Sequence, residues 1–238
     1  MLSPSSVRCN LWRLMATAGA LAGAAAAAAG TLHLVRAWAG YGRPKLRPNP
    51  LLDPFMPNPE VAERHEVGVR APADVTLAAV RAVDLWDSPV AQAIFRGRRV
   101  LMGVHSSTAR TPTPFLAEVE ALGWGLLAQV PGRGVAYGSV TKPWEPEPRF
   151  RGVAPADFAA FDEPGYAKIV WSLQVDPVNG QACRLSTETR VATTDAGSRA
   201  RFRRYWTVLS VGILLLRVIM LRQVQQAAER RAPVRHRS

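Results

Sequence analysis

The sequence is poor in the residues that hold metals and cofactors. Two cysteines, Cys9 and Cys183, and four histidines, His33, His65, His105 and His236, are spread over 238 residues. No CxxC or HxxxH spacing joins them, so no transition-metal site is expected. Two cysteines, one of them ahead of a long apolar run, exclude a disulfide-stapled scaffold and leave the redox compartment open. Neither a GxSxG elbow nor a phosphate-binding P-loop occurs. Gly132, Gly134 and Gly138 approach a dinucleotide fingerprint, but with one residue too many, and they lead into a strand-like run where a pyrophosphate would find no helix N-terminus. That stretch reads as a turn, and no cofactor is implied.

Acidic residues are scarce at both ends. Residues 1–50 carry Arg8, Arg13, Arg36, Arg43, Lys45 and Arg47 and no acid, and residues 199–238 carry ten arginines against Glu229 alone. With +6 and +9 at the ends, the total of +12 leaves the interval 51–198 at −3. A mildly acidic domain between two basic flanks suits a membrane surface better than a DNA groove, so a membrane partner is expected and a nucleic acid is not. The plainer alternative is that terminal arginines only keep the ends soluble. Oligomeric state is not legible.

What is present begins with an uncharged run of 22 residues, Leu14 to Val35. As a helix rising about 1.5 Å per residue it reaches roughly 33 Å, enough for a hydrocarbon core of about 30 Å. Trp12 and Trp38 bracket it as interfacial tryptophans do, and apolar character resumes after the alanines Ala24 to Ala29. The reading is a single-pass membrane anchor, with the domain behind it leaning to the cytoplasmic side by the positive-inside rule; the alternative is a signal peptide cleaved at its small residues, followed by export. Residues 1–40 form this segment. Residues 41–59, with Pro44, Pro48, Pro50, Pro54, Pro57 and Pro59, read as a stiff linker, residues 60–231 as the folded domain and residues 232–238 as a basic tail.

Glu60 to Arg70 alternates with period two, placing Val61, Glu63, His65, Val67 and Val69 on one face of a first strand. Pro72, Ser88-Pro89 and Thr113-Pro114 mark three helix starts. Leu126 to Val130 and Val135 to Val140 form a hairpin around Pro131-Gly132-Arg133-Gly134. Tyr166 to Val175 and Ala182 to Ala192 form another around Asn179-Gly180, with Asp176-Pro177 implying a loop longer than two residues. Asp195 caps a long helix that ends near Pro233. The pattern is α+β, with helices gathered on one face of an antiparallel sheet.

The stretches ERHEVGVRAPADVTLAAVRAVDLWDSPVAQAIF (Glu63 to Phe95), FDEPGYAKIVWSLQV, STETRV and RFRRYW resemble bacterial members of the START-like, SRPBCC superfamily, described as polyketide cyclase/lipid-transport-like. The resemblance spans about Val61 to Gln226. It implies a helix-grip fold, an antiparallel sheet wrapped around the C-terminal helix, enclosing a cavity for a hydrophobic small molecule or lipid. It does not assign catalytic residues.

On that fold the cavity residues are Trp171, Leu173, Leu185, Thr187 and Thr189 from the last two strands, with Phe202, Trp206, Leu209 and Ile213 from the helix. The chain is read as a ligand-binding protein. The alternatives are a cyclase- or dehydrase-type enzyme, with Glu63 and His65 as its acid-base candidates, and a structural or interaction protein whose interior is filled by its own side chains. Positive charge at Arg199, Arg201, Arg203 and Arg204 opposes the helix dipole and calls for an anion. Anionic lipid headgroups are one candidate; a local ion pair with Glu188 or Asp162 is the other. Tyr205 to Leu221, interrupted by Arg217, is marginal as a second membrane span.

Overall fold

The structure, a computed structural model, describes residues 46–84, 87–103 and 113–232. The chain divides into two units, Met1–Ala39 and Gly40–Ser238. The expected anchor, Leu14 to Val35, and the basic tail from residue 233 onward lie outside the described residues.

Strand β1 (Val61–Val69) is followed by helices α1 (Ala73–Ala82), α2 (Pro89–Leu101) and α3 (Phe115–Ala121). Strands β2 (Gly125–Val130) and β3 (Gly134–Thr141) then precede a short helix α4 (Pro155–Phe158). Strands β4 (Ala167–Asn179) and β5 (Ala182–Thr193) deliver the chain into α5 (Ala196–Arg231). All pairings are antiparallel, and the spatial order is β1-β5-β4-β3-β2. The first strand thus closes against the last, and α5 crosses the inner face of β1, β5 and β4. This is the helix-grip arrangement of START-like proteins.

Local chemistry explains the boundaries. Ser88 Oγ accepts from Ala91 N–H at 3.2 Å and Pro89 opens α2, a cap followed by a proline whose missing N–H costs nothing there. Asp195 Oδ1 accepts from Ser198 N–H at 2.8 Å, and its Oδ2 accepts from Gly165 N–H and Ser198 Oγ–H, both at 2.6 Å. These bonds hold its carboxyl well below the usual carboxylate range. The turn between β4 and β5 is the two residues Gly180-Gln181. Pro177, expected to lengthen it, is instead absorbed as an irregularity of the ladder between Pro177 and Asn179. In α2 Val90 points outward, and the fully buried residue is Ala91.

The sheet is packed on both faces. On the inner face Val69, Trp171, Leu173, Val175, Cys183 and Leu185 meet Ala79 and Val80 of α1 and Met220, Leu221, Val224 and Ala228 of α5. Nearer the start of α5, Phe202 and Trp206 pack on Val61, Ala167 and Val191. The outer face carries a second layer, and it comes from the stretch that reads as a linker. Leu51, Leu52 and Met56 are buried there against Leu127, Ala136, Val140, Phe158 and Val170. Full burial of one such side chain is worth roughly 1.5–3 kcal/mol, so residues 46–59 belong to the fold despite their prolines.

Polar bonds fix that strap. Asn49 Nδ2–H donates to Ser172 Oγ at 3.2 Å and Glu188 Oε2 at 3.0 Å. Arg190 is fully buried; its Nε–H donates to Glu188 Oε1 at 2.7 Å, its Nη1–H to the Met56 carbonyl at 2.9 Å, and its Nη2 pairs with Asp53 Oδ1 at 2.8 Å. Buried charges persist when paired and hydrogen-bonded in this way.

Within α5 an 18-residue window of mean hydropathy 1.8 is apolar enough to cross a membrane, and 22% of it is buried. Phe202 and Trp206 at one end and Met220, Val224 and Ala228 at the other rest on the same sheet. A bilayer crossing would empty both clusters, so the helix serves as the gripped element.

Candidate functional site

Alternation along β4 and β5 turns Ile169, Trp171 and Leu173, and with them Leu185, Thr187 and Thr189, toward α5. Trp171 is the centre of this face. It stacks on Tyr137 at a centroid distance of 5.3 Å and also contacts Phe115 at 5.7 Å and Trp124 at 6.5 Å. Tyr137 donates its hydroxyl to Glu120 Oε1 at 2.6 Å, and burial with that bond raises its pKa. Much of the grip is therefore filled by the chain's own aromatics.

The filling is incomplete along α5. The helix buries Phe202, Trp206 and Ser210, then no residue fully until Met220 and Leu221. Opposite this interval lies a cleft of about 210 Å³, lined by Phe115 and Val119 of α3, Trp124, Ile169, Trp171 and Thr189 of the sheet region, and Ile213, Leu216 and Arg217 of α5. At about 30 Å³ per molecule in liquid water, this is the room of roughly seven waters. It suits one or two fused rings.

One wall of the interior is polar. Glu63 pairs across the ladder with Thr189, and His65 with Thr187. His65 Nε2, Thr187 Oγ1, Thr189 Oγ1 and Arg217 Nε are all sealed from solvent without a hydrogen-bond partner. Burial, and then the positive charge of Arg217, lower the His65 pKa. Burial brings the Arg217 guanidinium down to about 10, against the favourable charge of Glu63, so it stays protonated at neutral pH.

The residues expected in the cavity divide into two groups. Trp171, Thr189 and Ile213 line the cleft. Leu185 is fully buried core, and Leu173 lies in the same core cluster; Phe202 and Trp206 form the packed end of the grip, and neither Thr187 nor Leu209 reaches the cleft lining. Three- and four-residue spacing identifies a helix face but does not say where along it packing fails. Glu63 and His65 do not line the cleft either. Glu63 belongs to a polar groove of about 370 Å³ along the edge strand β1, with Arg47, Arg64, Glu66 and Glu188. The contributions of α3, Trp124 and Arg217 escape sequence reasoning. The signal for Arg217 is present all the same, as a lone cation inside an apolar helical run.

A groove of about 350 Å³ lies on the other side of α3, between Leu77, Val80 and the β2–β3 hairpin. Arg81, Glu120, Gln129 and Arg133 belong to its wall, and none of its lining residues holds a buried polar atom without a partner among the described residues. The smaller cleft is the better candidate because it joins an apolar wall to unpartnered donors.

The four arginines at the start of α5 meet local partners. Arg199 Nε–H donates to Glu60 Oε1 at 3.1 Å, and the Arg201 guanidinium lies 5.3 Å from the centre of the Trp144 ring. Glu188, one suggested counter-ion, is instead engaged with Arg190 and Arg64 on the outer face. Arg203 Nε is buried without a hydrogen-bond partner, and Arg204 is exposed.

No protein-family model and no curated protein matches the chain. Solved structures do resemble it. A conserved protein from Geobacillus kaustophilus matches at 10% identity and a TM-score of 0.34, over 71% of this chain and 96% of its own. The ZhuI aromatase/cyclase from Streptomyces sp. R1128 matches at 14% identity and 0.28, over 72% and 94%. Norcoclaurine synthase from Thalictrum flavum, in complex with dopamine and hydroxybenzaldehyde, matches at 9% identity and 0.31, over 80% and 98%. Likeness at this level concerns fold and leaves substrate and chemistry undecided.

Proposed function

We propose that the domain binds a small hydrophobic molecule in the cleft between its sheet, α3 and α5, and that it does so beside a membrane. The observation that carries the first half is the gap in packing along α5. A helix held at both ends by buried clusters leaves its middle turns, at Ile213, Leu216 and Arg217, facing Ile169, Trp171 and Thr189 across open space. A concave apolar site with a few polar groups is the usual form of a small-molecule pocket, though this one is below the common range of about 300–1,000 Å³. A compact ligand follows from that size.

Isothermal titration of the full-length protein with indole, an uncharged fused-ring probe, tests the reading. Saturable binding is expected in the wild type, weakened at least about tenfold, or 1.4 kcal/mol, by the cleft-filling substitution Ile213→Phe with the melting temperature held. Equal binding by both proteins would refute it.

The membrane half rests on Leu14 to Val35 as an anchor and on anionic-lipid contact at the start of α5. It is supported by exposed Arg201 and Arg204 and by an exposed apolar stripe, Val208, Val211, Leu215 and Val218, on the outer side of the same helix. Vesicles with and without anionic lipid decide it: retention of Arg201→Gln/Arg204→Gln protein on anionic vesicles equal to wild type removes the arginine contact.

A further inference from the structure

The polarity of the cleft is one-sided. Its body is aromatic and aliphatic, from Phe115, Val119, Trp124, Ile169, Trp171, Ile213 and Leu216. Thr189 and Arg217 are its polar members, and each has a sealed atom with nothing to bond. A threonine hydroxyl both donates and accepts, but a guanidinium N–H only donates. A buried donor without an acceptor is strongly unfavourable, and a buried cation more so.

Glu63 supplies part of the balancing charge, since its carboxylate favours the protonated guanidinium. Its own position is on β1, in the edge groove rather than in the cleft. Arg217 Nε–H remains without an acceptor. The missing complement is therefore an oxygen acceptor, preferably anionic, carried on an apolar body that fits between Trp171 and Ile213.

We infer that the ligand of this cleft is a compact apolar acid, a carboxylate on a frame of one or two rings or of similar bulk, with its carboxylate on Arg217 Nε–H and the Thr189 hydroxyl. The inference rests on the cleft being a ligand site. Arg217 then sets ligand class: it admits an anion where a purely apolar cleft would exclude one, and it discriminates against uncharged isosteres because a charge-assisted bond is stronger than a neutral one. An arginine is suited to this role because it stays charged when buried, and its planar head also packs against ring faces. The apolar interval of α5 gives no structural reason for a cation at this position, so its placement opposite Thr189 is the observation that needs the ligand.

The test compares indole-3-carboxylate with indole-3-carboxamide, matched in shape and differing in charge, by titration of the full-length wild type and the Arg217→Met and Arg217→Lys variants. In the wild type the carboxylate should bind about tenfold or more tighter than the amide, the range of a charge-assisted hydrogen bond. Arg217→Met should bind the amide as before and lose the preference; Arg217→Lys should keep part of it, and serves if the methionine variant does not fold. Equal wild-type affinity for the two probes overturns the inference while leaving the cleft a ligand site. A preference that survives Arg217→Met overturns the assignment to Arg217. Binding of neither probe overturns the ligand-site reading, and this inference with it.

Discussion

Replacing Glu188 by alanine should be among the most damaging single changes to this domain. Glu188 is 3% exposed and accepts three hydrogen bonds, from Arg190 Nε–H at 2.7 Å, Asn49 Nδ2–H at 3.0 Å and Arg64 Nη1–H at 3.2 Å. Its removal leaves the fully buried Arg190 with Asp53, itself 46% exposed, as its remaining carboxylate, and unties the strap that Asn49 holds to the sheet. Breaking a buried ion pair from one side costs about 3–5 kcal/mol. In a domain of this size each kcal/mol moves the melting temperature by about 2–4 °C, so a fall of roughly 6–20 °C is expected. Thermal and urea melts followed by tryptophan fluorescence measure it. The double variant Glu188→Met/Arg190→Met should recover much of the loss, because replacing a whole buried pair with apolar side chains is often near neutral. A loss below about 1 kcal/mol for Glu188→Ala would refute the claim that this network clamps the strap.

Two further outcomes follow from the same packing. Leu52→Ala, at a fully buried position of the strap, should cost about 2–5 kcal/mol in urea denaturation, whereas a true linker residue would cost almost nothing. His65 has a folded-state pKa below its ordinary value of 6.5, so the unfolded chain takes up the proton first as pH falls. Its contribution to stability is complete above 6.5 and is lost as pH falls through and below that value. His65→Gln should therefore flatten the stability profile between pH 7 and 5; an unchanged slope would contradict the burial of a neutral imidazole there.

Element order was legible in the sequence because each boundary carries its own chemistry. Ser88-Pro89 and Asp195 are caps that act within one turn, and the alternation of β1, β4 and β5 is a local property of strands. The strap was not legible. Its prolines suppress any helical or strand period, and Leu51, Leu52 and Met56 become core only because α4 and the outer faces of β2, β3 and β4 leave a surface for them. Arg190 illustrates the same limit. On an alternating strand it reads as a solvated or rim residue, and nothing local predicts that a segment more than a hundred residues upstream will cover it. In the cleft, periodicity found the right face of α5 but spread the site over the whole length of the helix. Phe202 and Trp206 close on Val61 and Val191, while Ile213 does not close on anything of equal bulk; that difference depends on how α3 docks, which residue spacing does not encode.

The central claim is that a small apolar molecule occupies the space between Ile169 and Ile213. The chain has four isoleucines, Ile94, Ile169, Ile213 and Ile219, and two of them line the cleft. Methyl-selective NMR of isoleucine-labelled full-length protein titrated with indole reads the site directly. The account predicts saturable shifts of the Ile169 and Ile213 methyls with one common affinity and an unmoved Ile219. Shifts that leave Ile169 and Ile213 in place, or that move Ile219 equally, would contradict it.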